Sequence, residues 1–247
     1  MAAEGKVAVV TGAGSGLGAA FALHLAKLGF ELGICDLEPP TATAEAIRGL
    51  GRRVSACEAD VSAPADVARF AQDVRSGLGP VSVVVNNVGI SPYVPFAELE
   101  LEQWKRVMAV NLDSIYLVTR AFLEDMRTAR WGRVVNITSA LAWDPQGSEV
   151  VAYATSKLGV LGFTRALASE LGADGITVNA ICPGVVRTPL LDERIPSERW
   201  DAYLDRQAVK RIAEPEDLMA ALGLLVSEDA GMITAVNLPV HGGRVWT

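Results

Sequence analysis

Short runs of consecutive apolar residues alternate along this chain with longer segments whose apolar residues recur every three or four positions. The first kind of run predicts strands buried on both faces of a sheet, and the second predicts helices lying over it. Strands are predicted at Lys6–Thr11, Glu31–Asp36, Arg53–Ala59, Val81–Asn86, Arg133–Thr138, Ile176–Ile181 and around Ile233–Leu238. Helices are predicted at Ala19–Leu28, Ala42–Leu50, Pro64–Gly77, Glu98–Arg127, through Tyr153 to Leu171, and at Pro215–Ser227. Strands alternating with helices over short connections imply right-handed parallel crossovers, hence an α/β fold of the doubly wound kind with about seven strands. No Gly/Ser linker or repeat interrupts the pattern, so residues 1–247 read as a single domain. Only Gly184–Glu214 lacks a clear strand, and an excursion of that length suggests a substrate lid at about 184–214.

Composition narrows the class. Half of the 247 residues are hydrophobic and 21% are charged, as expected of a compact chain with a sizeable core. A net charge of −7 argues against nucleic acid or an anionic membrane as partner. The chain enters its first strand almost at once and carries no apolar run of membrane-spanning length, so neither a signal peptide nor a transmembrane helix is expected. Cys35, Cys57 and Cys182 are scattered among apolar residues and read as buried free thiols of a reducing compartment, which makes a cytoplasmic location the expectation. Two histidines, His24 and His241, leave little material for a His-based triad, and no metal site is predicted.

Several positions carry candidate chemistry. Gly12-Ala-Gly-Ser15-Gly16-Leu17-Gly18 lies between a predicted strand and helix, where glycines permit close approach of a diphosphate and the helix N-terminus attracts its charge. Asp36 ends the second strand; a carboxylate there can accept from ribose hydroxyls and repel a 2′-phosphate, favouring NAD(H) over NADP(H), and neighbouring Leu37 and Glu38 supply no arginine for such a phosphate. The plainer alternative is a capping or solvated acid. Asp60-Val61 ends the third strand and Asn86-Asn87-Val88-Gly89 the fourth, both at the carboxyl ends where open sheets hold ligands. Asp60 can bond an adenine amino group or cap the next helix. Asn111 interrupts an apolar helix and is either a structural bridge or part of a proton path. Tyr153 and Lys157, four residues apart, share a helix face. A close cation favours the phenolate. Ser139, or the adjacent Thr138, could bond a substrate oxygen beside that phenol.

Taken together, Thr11-Gly12-x-x-x-Gly16-x-Gly18, Asp60, Asn86-Asn87-x-Gly89, Asn111, Ser139, Tyr153-x-x-x-Lys157 and Pro183-Gly184 followed by Thr188 resemble the short-chain dehydrogenase/reductases. The resemblance runs over nearly the whole chain and touches both the secondary-alcohol and the acyl-thioester branches. It implies a Rossmann-type domain in which Tyr153 is the acid/base and Lys157 lowers its pKa while holding the nicotinamide ribose. It further implies that Ser139 orients the substrate oxygen and that Asn111 holds a water linking Lys157 to solvent. The dinucleotide would lie along Gly12, Ser15, Gly16, Leu17 and Gly18, with Asp36 and Leu37 at the ribose and Asp60 and Val61 at the adenine. Asn87, Val88 and Gly89 would follow, then Tyr153 and Lys157, and finally Pro183, Gly184, Val186 and Thr188. Relatives are commonly homotetramers, so a homotetramer or homodimer is expected through helices around Leu101–Arg127 and Ala152–Leu171, whose apolar stripes could instead face only the chain's own core.

Three departures qualify the match: Val88 for the usual alanine, a Ser139–Tyr153 spacing one residue longer than usual, and Val240-His241-Gly242-Gly243 for the usual Val-Asp-Gly-Gly, preceded by Thr234-Ala235 for Thr-Gly. His241 reads as an interface contact or, more plainly, as a surface or capping residue. Around the nicotinamide the expected pocket residues are Ser91, Tyr93, Leu141, Trp143, Glu149 and Val150, with Val185, Leu190 and Leu191 from the lid. That mostly apolar set, without an arginine clamp, suggests a hydrophobic or aryl-bearing secondary alcohol/ketone pair. A 3-oxoacyl-thioester reductase is the alternative, for which Arg127, Arg130 and Arg133 could supply a basic patch to an acidic carrier protein. A dinucleotide-binding regulator without turnover is a remoter one.

Overall fold

The computed structural model describes residues 5–145, 149–188 and 200–245. Its sheet has seven parallel strands: β1 (Val7–Thr11), β2 (Glu31–Asp36), β3 (Val54–Glu58), β4 (Val81–Asn86), β5 (Gly132–Ile137), β6 (Ile176–Pro183) and β7 (Asn237–Val240). They stand in the order β3-β2-β1-β4-β5-β6-β7, so the winding reverses between β1 and β4. That reversal opens a crevice at the carboxyl ends of the strands, the ligand-binding edge of a Rossmann-type sheet.

The alternation along β1 explains the two layers. Ala8 and Val10 face one core with Leu32, Ile34, Phe21 and Leu25, whereas Val7 and Val9 face the other with Phe70, Phe122 and Met126. The first layer includes α1 (Gly16–Lys27) and α2 (Thr41–Gly49). The second is built on α3 (Pro64–Leu78), α5 (Ser114–Ala129) and α6 (Val151–Leu171), with α4 (Leu101–Met108) leading into α5. Phe70 of α3 meets Phe122 of α5 edge to face, with ring centroids 5.8 Å apart, a favoured aromatic geometry that locks those helices together. Leu101, Tyr116, Val151 and Leu158 of α4, α5 and α6 remain exposed. Beyond β6 the chain forms α7 (Trp200–Asp205) and α8 (Met219–Leu225), the latter packed into the first layer.

Three expected elements differ from the structure. The single helix predicted over Glu98–Arg127 is two helices joined by a π-helical turn at Ala109–Asp113, which the apolar period alone does not reveal. The last strand is shifted from Ile233–Leu238 to Asn237–Val240 because Ala235 adopts φ 63°, which no extended strand tolerates. Only the end of the predicted Pro215–Ser227 helix is α-helical, its start being a 3₁₀ turn at Pro215–Leu218. Of the cysteines expected to be buried, Cys57 is only half-buried because β3 is an edge strand. Residues 189–199 of the proposed lid lie outside the described residues, and with them Leu190 and Leu191.

Candidate active site

The glycine turn follows β1 directly. A β-carbon on Gly18 would come within 1.8 Å of the Gly12 carbonyl oxygen, so α1 packs against the turn only because position 18 carries no side chain. Asn87, just past β4, donates its backbone N–H to the Thr11 hydroxyl and its Nδ2 to the carbonyls of Thr11 and Gly12 (3.0 and 3.2 Å), and so ties the turn to the crevice. Asp36 serves the turn as well. Its Oδ2 accepts the Gly14 N–H and its Oδ1 the Leu37 N–H, each at 2.7 Å, placing a carboxylate against the glycine loop. Asp60 is drawn into local bonding: its Oδ1 accepts from the Ser62 N–H and hydroxyl, and Arg106 reaches its Oδ2 at 3.2 Å. These contacts hold its carboxyl below the usual range although burial pushes the other way most strongly. Asp60 thus closes a local turn ahead of α3, whose N-cap is Ala63 without a side-chain bond, so the expected capping role is not the one it fills.

At the centre of the crevice four elements converge. Ser139 follows β5, and its hydroxyl caps the 3₁₀ turn Ala140–Ala142 by accepting the Leu141 N–H at 3.2 Å while bonding to the Tyr153 phenol. Thr138, its rival, is engaged inside the sheet with the Ile181 carbonyl and Asn237. Geometry therefore brings Ser139, not Thr138, to the phenol. Burial pushes the Tyr153 phenol up to about 12, with the Ser139 bond pulling down against it. Lys157 is buried, its ammonium lowered to about 8 by desolvation. Its Nζ lies 5.7 Å from the Tyr153 ring centroid and donates to the Ile137 carbonyl at 2.8 Å. Burial rather than Lys157 therefore sets the phenol's titration here, in contrast to the expected lowering. Lys157 has further N–H bonds free of any partner among the described residues, which is what holding a ribose diol asks of it. A β-carbon on Gly89 would sit 3.2 Å from that Nζ, so only glycine lets the segment after β4 pass so close.

Asn111 occupies the π-helical turn and is fully buried. Its Oδ1 accepts the Ile90 N–H at 2.8 Å, and its Nδ2 donates to the Ile90 carbonyl (2.9 Å) and to Ser156 Oγ (3.0 Å). Ser156 in turn donates to the Tyr153 carbonyl at 2.7 Å. The structural-bridge role is thus filled: one amide joins the segment after β4, the turn before α5, and the second turn of α6.

The expected pocket residues are less uniform. Leu141 and Trp143 are half-buried beside Ser139, and Val150 is buried. Ser91 has a buried hydroxyl without a partner among the described residues, and Tyr93 lies close enough to raise the phenol's pKa. Glu149 is exposed at φ 26°, with its carbonyl accepting the Val94 N–H. Val185 lines a cavity of about 220 Å³ with Gln207, Val209, Val240 and His241. Of these, Gln207 and Val209 carry no motif that could have announced them. His241 is buried, and its Nδ1 accepts the Arg244 N–H at 3.1 Å, a capping role. The expected basic patch is not formed as such: Arg127 and Arg130 both pair with Asp174, and Arg133 is buried against Trp131, donating to the Ser227 carbonyl. Among the described residues no group of His, Cys, Asp and Glu could hold a metal ion, and no helix is long and apolar enough to cross a membrane.

Known proteins match this arrangement. A model of the short chain dehydrogenase family fits residues 6–199. Over 245 residues the chain is 36% identical to the 3-oxoacyl-acyl-carrier-protein reductase FabG of Pseudomonas aeruginosa, covering 98% of each. Among solved structures, levodione reductase superposes with a TM-score of 0.90 at 30% identity, covering 98% of each chain. One from Agrobacterium tumefaciens with bound NADP superposes with a TM-score of 0.89 at 35% identity, covering 98% of this chain and 96% of that one. A glycine turn tied to Asp36 and Asn87, a serine bonded to a tyrosine beside a buried lysine, and likeness over nearly the full length lead to one conclusion: this chain belongs to the short-chain dehydrogenase family of nicotinamide-dependent oxidoreductases.

Proposed function

We propose that the protein is an NAD(H)-dependent oxidoreductase that interconverts a hydrophobic or aryl-bearing secondary alcohol and its ketone. The observation that carries this reading is the Ser139–Tyr153–Lys157 cluster at the carboxyl end of β5, with half-buried Leu141 and Trp143 and buried Val150 in the segment between Ser139 and Tyr153. The bound dinucleotide would supply a hydride acceptor or donor. The chain's own groups do the rest. Ser139 bonds the substrate oxygen, and Tyr153 gives its proton to a carbonyl oxygen or takes it from an alcohol. Lys157 holds the ribose, and Asn111 fixes Tyr153 through Ser156. Positioned proton transfer of this kind contributes about 10²–10⁴-fold. Preference for NAD(H) rests on Asp36, whose carboxylate beside the glycine turn opposes a 2′-phosphate.

A second reading, reduction of a 3-oxoacyl thioester, is favoured by the 36% identity to the Pseudomonas aeruginosa reductase. The pairing of Arg127 and Arg130 and the burial of Arg133 weigh against the carrier-protein patch it would use.

The test is nicotinamide-linked turnover of 1-arylethanols, short 2-alkanols and 3-oxoacyl thioesters, with Tyr153→Phe as control. We expect turnover of the alcohols, and a variant that binds NADH normally yet loses at least about 100-fold in kcat. Activity confined to thioesters would replace the first reading by the second. A Tyr153→Phe protein with undiminished turnover would remove the assigned acid/base, and no turnover of any substrate would favour a dinucleotide-binding regulator.

A further inference from the structure

The tail beyond β7 does more than close the sheet. Strands β5, β6 and β7 end side by side, and the chain leaves them at Ser139, Gly184 and His241 respectively. From the far side, Arg244 reaches back over the end of β6 to Asp144, in the segment that follows Ser139, with its Nε 3.5 Å from Oδ2. Two strand spacings, about 10 Å, are bridged this way. Asp144 also binds Arg206, just after α7, at 3.1 Å, and the Arg244 guanidinium lies 5.2 Å from the Tyr203 ring of α7 itself. The Asp144 N–H in turn bonds the Ala140 carbonyl, so the pull on Asp144 is transmitted to the turn that Ser139 caps.

Stability alone does not explain this arginine. Its side chain is 1% exposed, yet its Nε and Nη2 make no hydrogen bond among the described residues. A buried guanidinium so poorly satisfied adds less to folding than an apolar side chain of similar size would. The His241 cap on the Arg244 N–H fixes where the side chain starts. Such a charge, costly where it stands, joins the C-terminal tail to the segment that follows Ser139.

We propose that Arg244 is a positioning residue: through Asp144 it straps the Ser139 turn to the C-terminal tail and α7 and so sets the substrate site, without touching the cofactor. Its consequence for substrate binding rests on the alcohol/ketone reading above.

The experiment compares the intact protein with Arg244→Met and Arg244→Lys. Asp144 keeps Arg206 in either variant, so neither leaves that carboxylate unpaired. Acrylamide quenching of Trp143, isolated by subtracting the same protein carrying Trp143→Phe, reports directly on the turn. Arg244→Met should raise that quenching, leave NADH affinity and kcat unchanged, and raise the substrate KM about tenfold, what one charge-assisted contact is worth. Its thermal midpoint should not fall. Arg244→Lys, which keeps the cation, should restore both quenching and KM toward the original. Unchanged quenching in Arg244→Met, an unchanged KM in an active enzyme, or a lysine variant as impaired as the methionine one would overturn the proposal. If the unaltered protein turns over no alcohol or ketone while Arg244→Met still raises quenching, the strap stands and the alcohol/ketone reading falls.

Discussion

Tyr153 and Lys157 sit one turn apart on α6, and burial drives both toward their neutral forms, the phenol up to about 12 and the ammonium down to about 8. A phenol that stays protonated is ready to donate to a carbonyl oxygen, whereas alcohol oxidation needs the phenolate and should quicken as pH rises. The lysine also leaves a signature in stability. Unfolded, its amine titrates near the ordinary value of 10.5. Between about pH 8 and 10.5 the unfolded chain therefore binds more protons than the folded one, and this group makes stability rise with pH. Below about pH 8 both states are charged and the full penalty, about 3 kcal/mol, stands. Lys157→Met removes it. In urea unfolding, the variant should gain on the original by most at pH 7, and the gap should close as pH approaches 10.5. A gap independent of pH would show that Lys157 is not the buried cation it is taken to be.

Among the elements, the π-helical turn between α4 and α5 has the largest consequence for the site. Five residues, Ala109–Asp113, widen the helix where Asn111 must turn its amide toward Ile90 and Ser156. Such bulges inside helices gather at functional positions. Without the amide, the Ile90 N–H and carbonyl lose their partner in the interior. Asn111→Leu should accordingly cost about 2–4 kcal/mol in denaturant unfolding, with turnover falling further than stability because Tyr153 loses its anchor through Ser156. A variant as stable as the original would mean the turn is held by its backbone alone. The helical period of Glu98–Arg127 predicts continuous helix because both halves carry apolar residues at helical spacing and the π-helical turn between them is only five residues long. Asn111 was the legible sign, a polar residue in an apolar helix, but its three partners lie 21 and 45 residues away in the chain.

At the scale of the molecule, the crevice between β1 and β4 couples cofactor to stability. A ligand that binds only the folded state stabilises it by about 3 kcal/mol at one hundred times its dissociation constant. NADH should raise the thermal midpoint more than NADPH at equal concentration, because the 2′-phosphate meets Asp36 where the carboxylate caps the Gly14 N–H. Asp36→Ser should narrow the difference. Greater protection by NADPH would reverse the assigned preference, and the Agrobacterium tumefaciens relative with bound NADP makes that comparison a real one.

The order of strands and helices, the glycine turn, Asp36, and the Tyr153–Lys157 pair were legible along the chain because each depends on local pattern: a short continuous apolar run or a helical period, a turn needing glycine, one helical turn between two side chains. Where Thr138 and Ser139 competed, only the fold decided, by spending Thr138 on the Ile181 carbonyl and Asn237 and turning Ser139 to the phenol. Only the fold, too, brought Arg244 to Asp144, one hundred positions apart, and took Arg133 out of a surface patch by burying it against Trp131. Contacts of that kind form between residues distant in the chain, and burial, which sets the titration of Tyr153 and Lys157, is a property of everything packed around a side chain rather than of its neighbours in sequence.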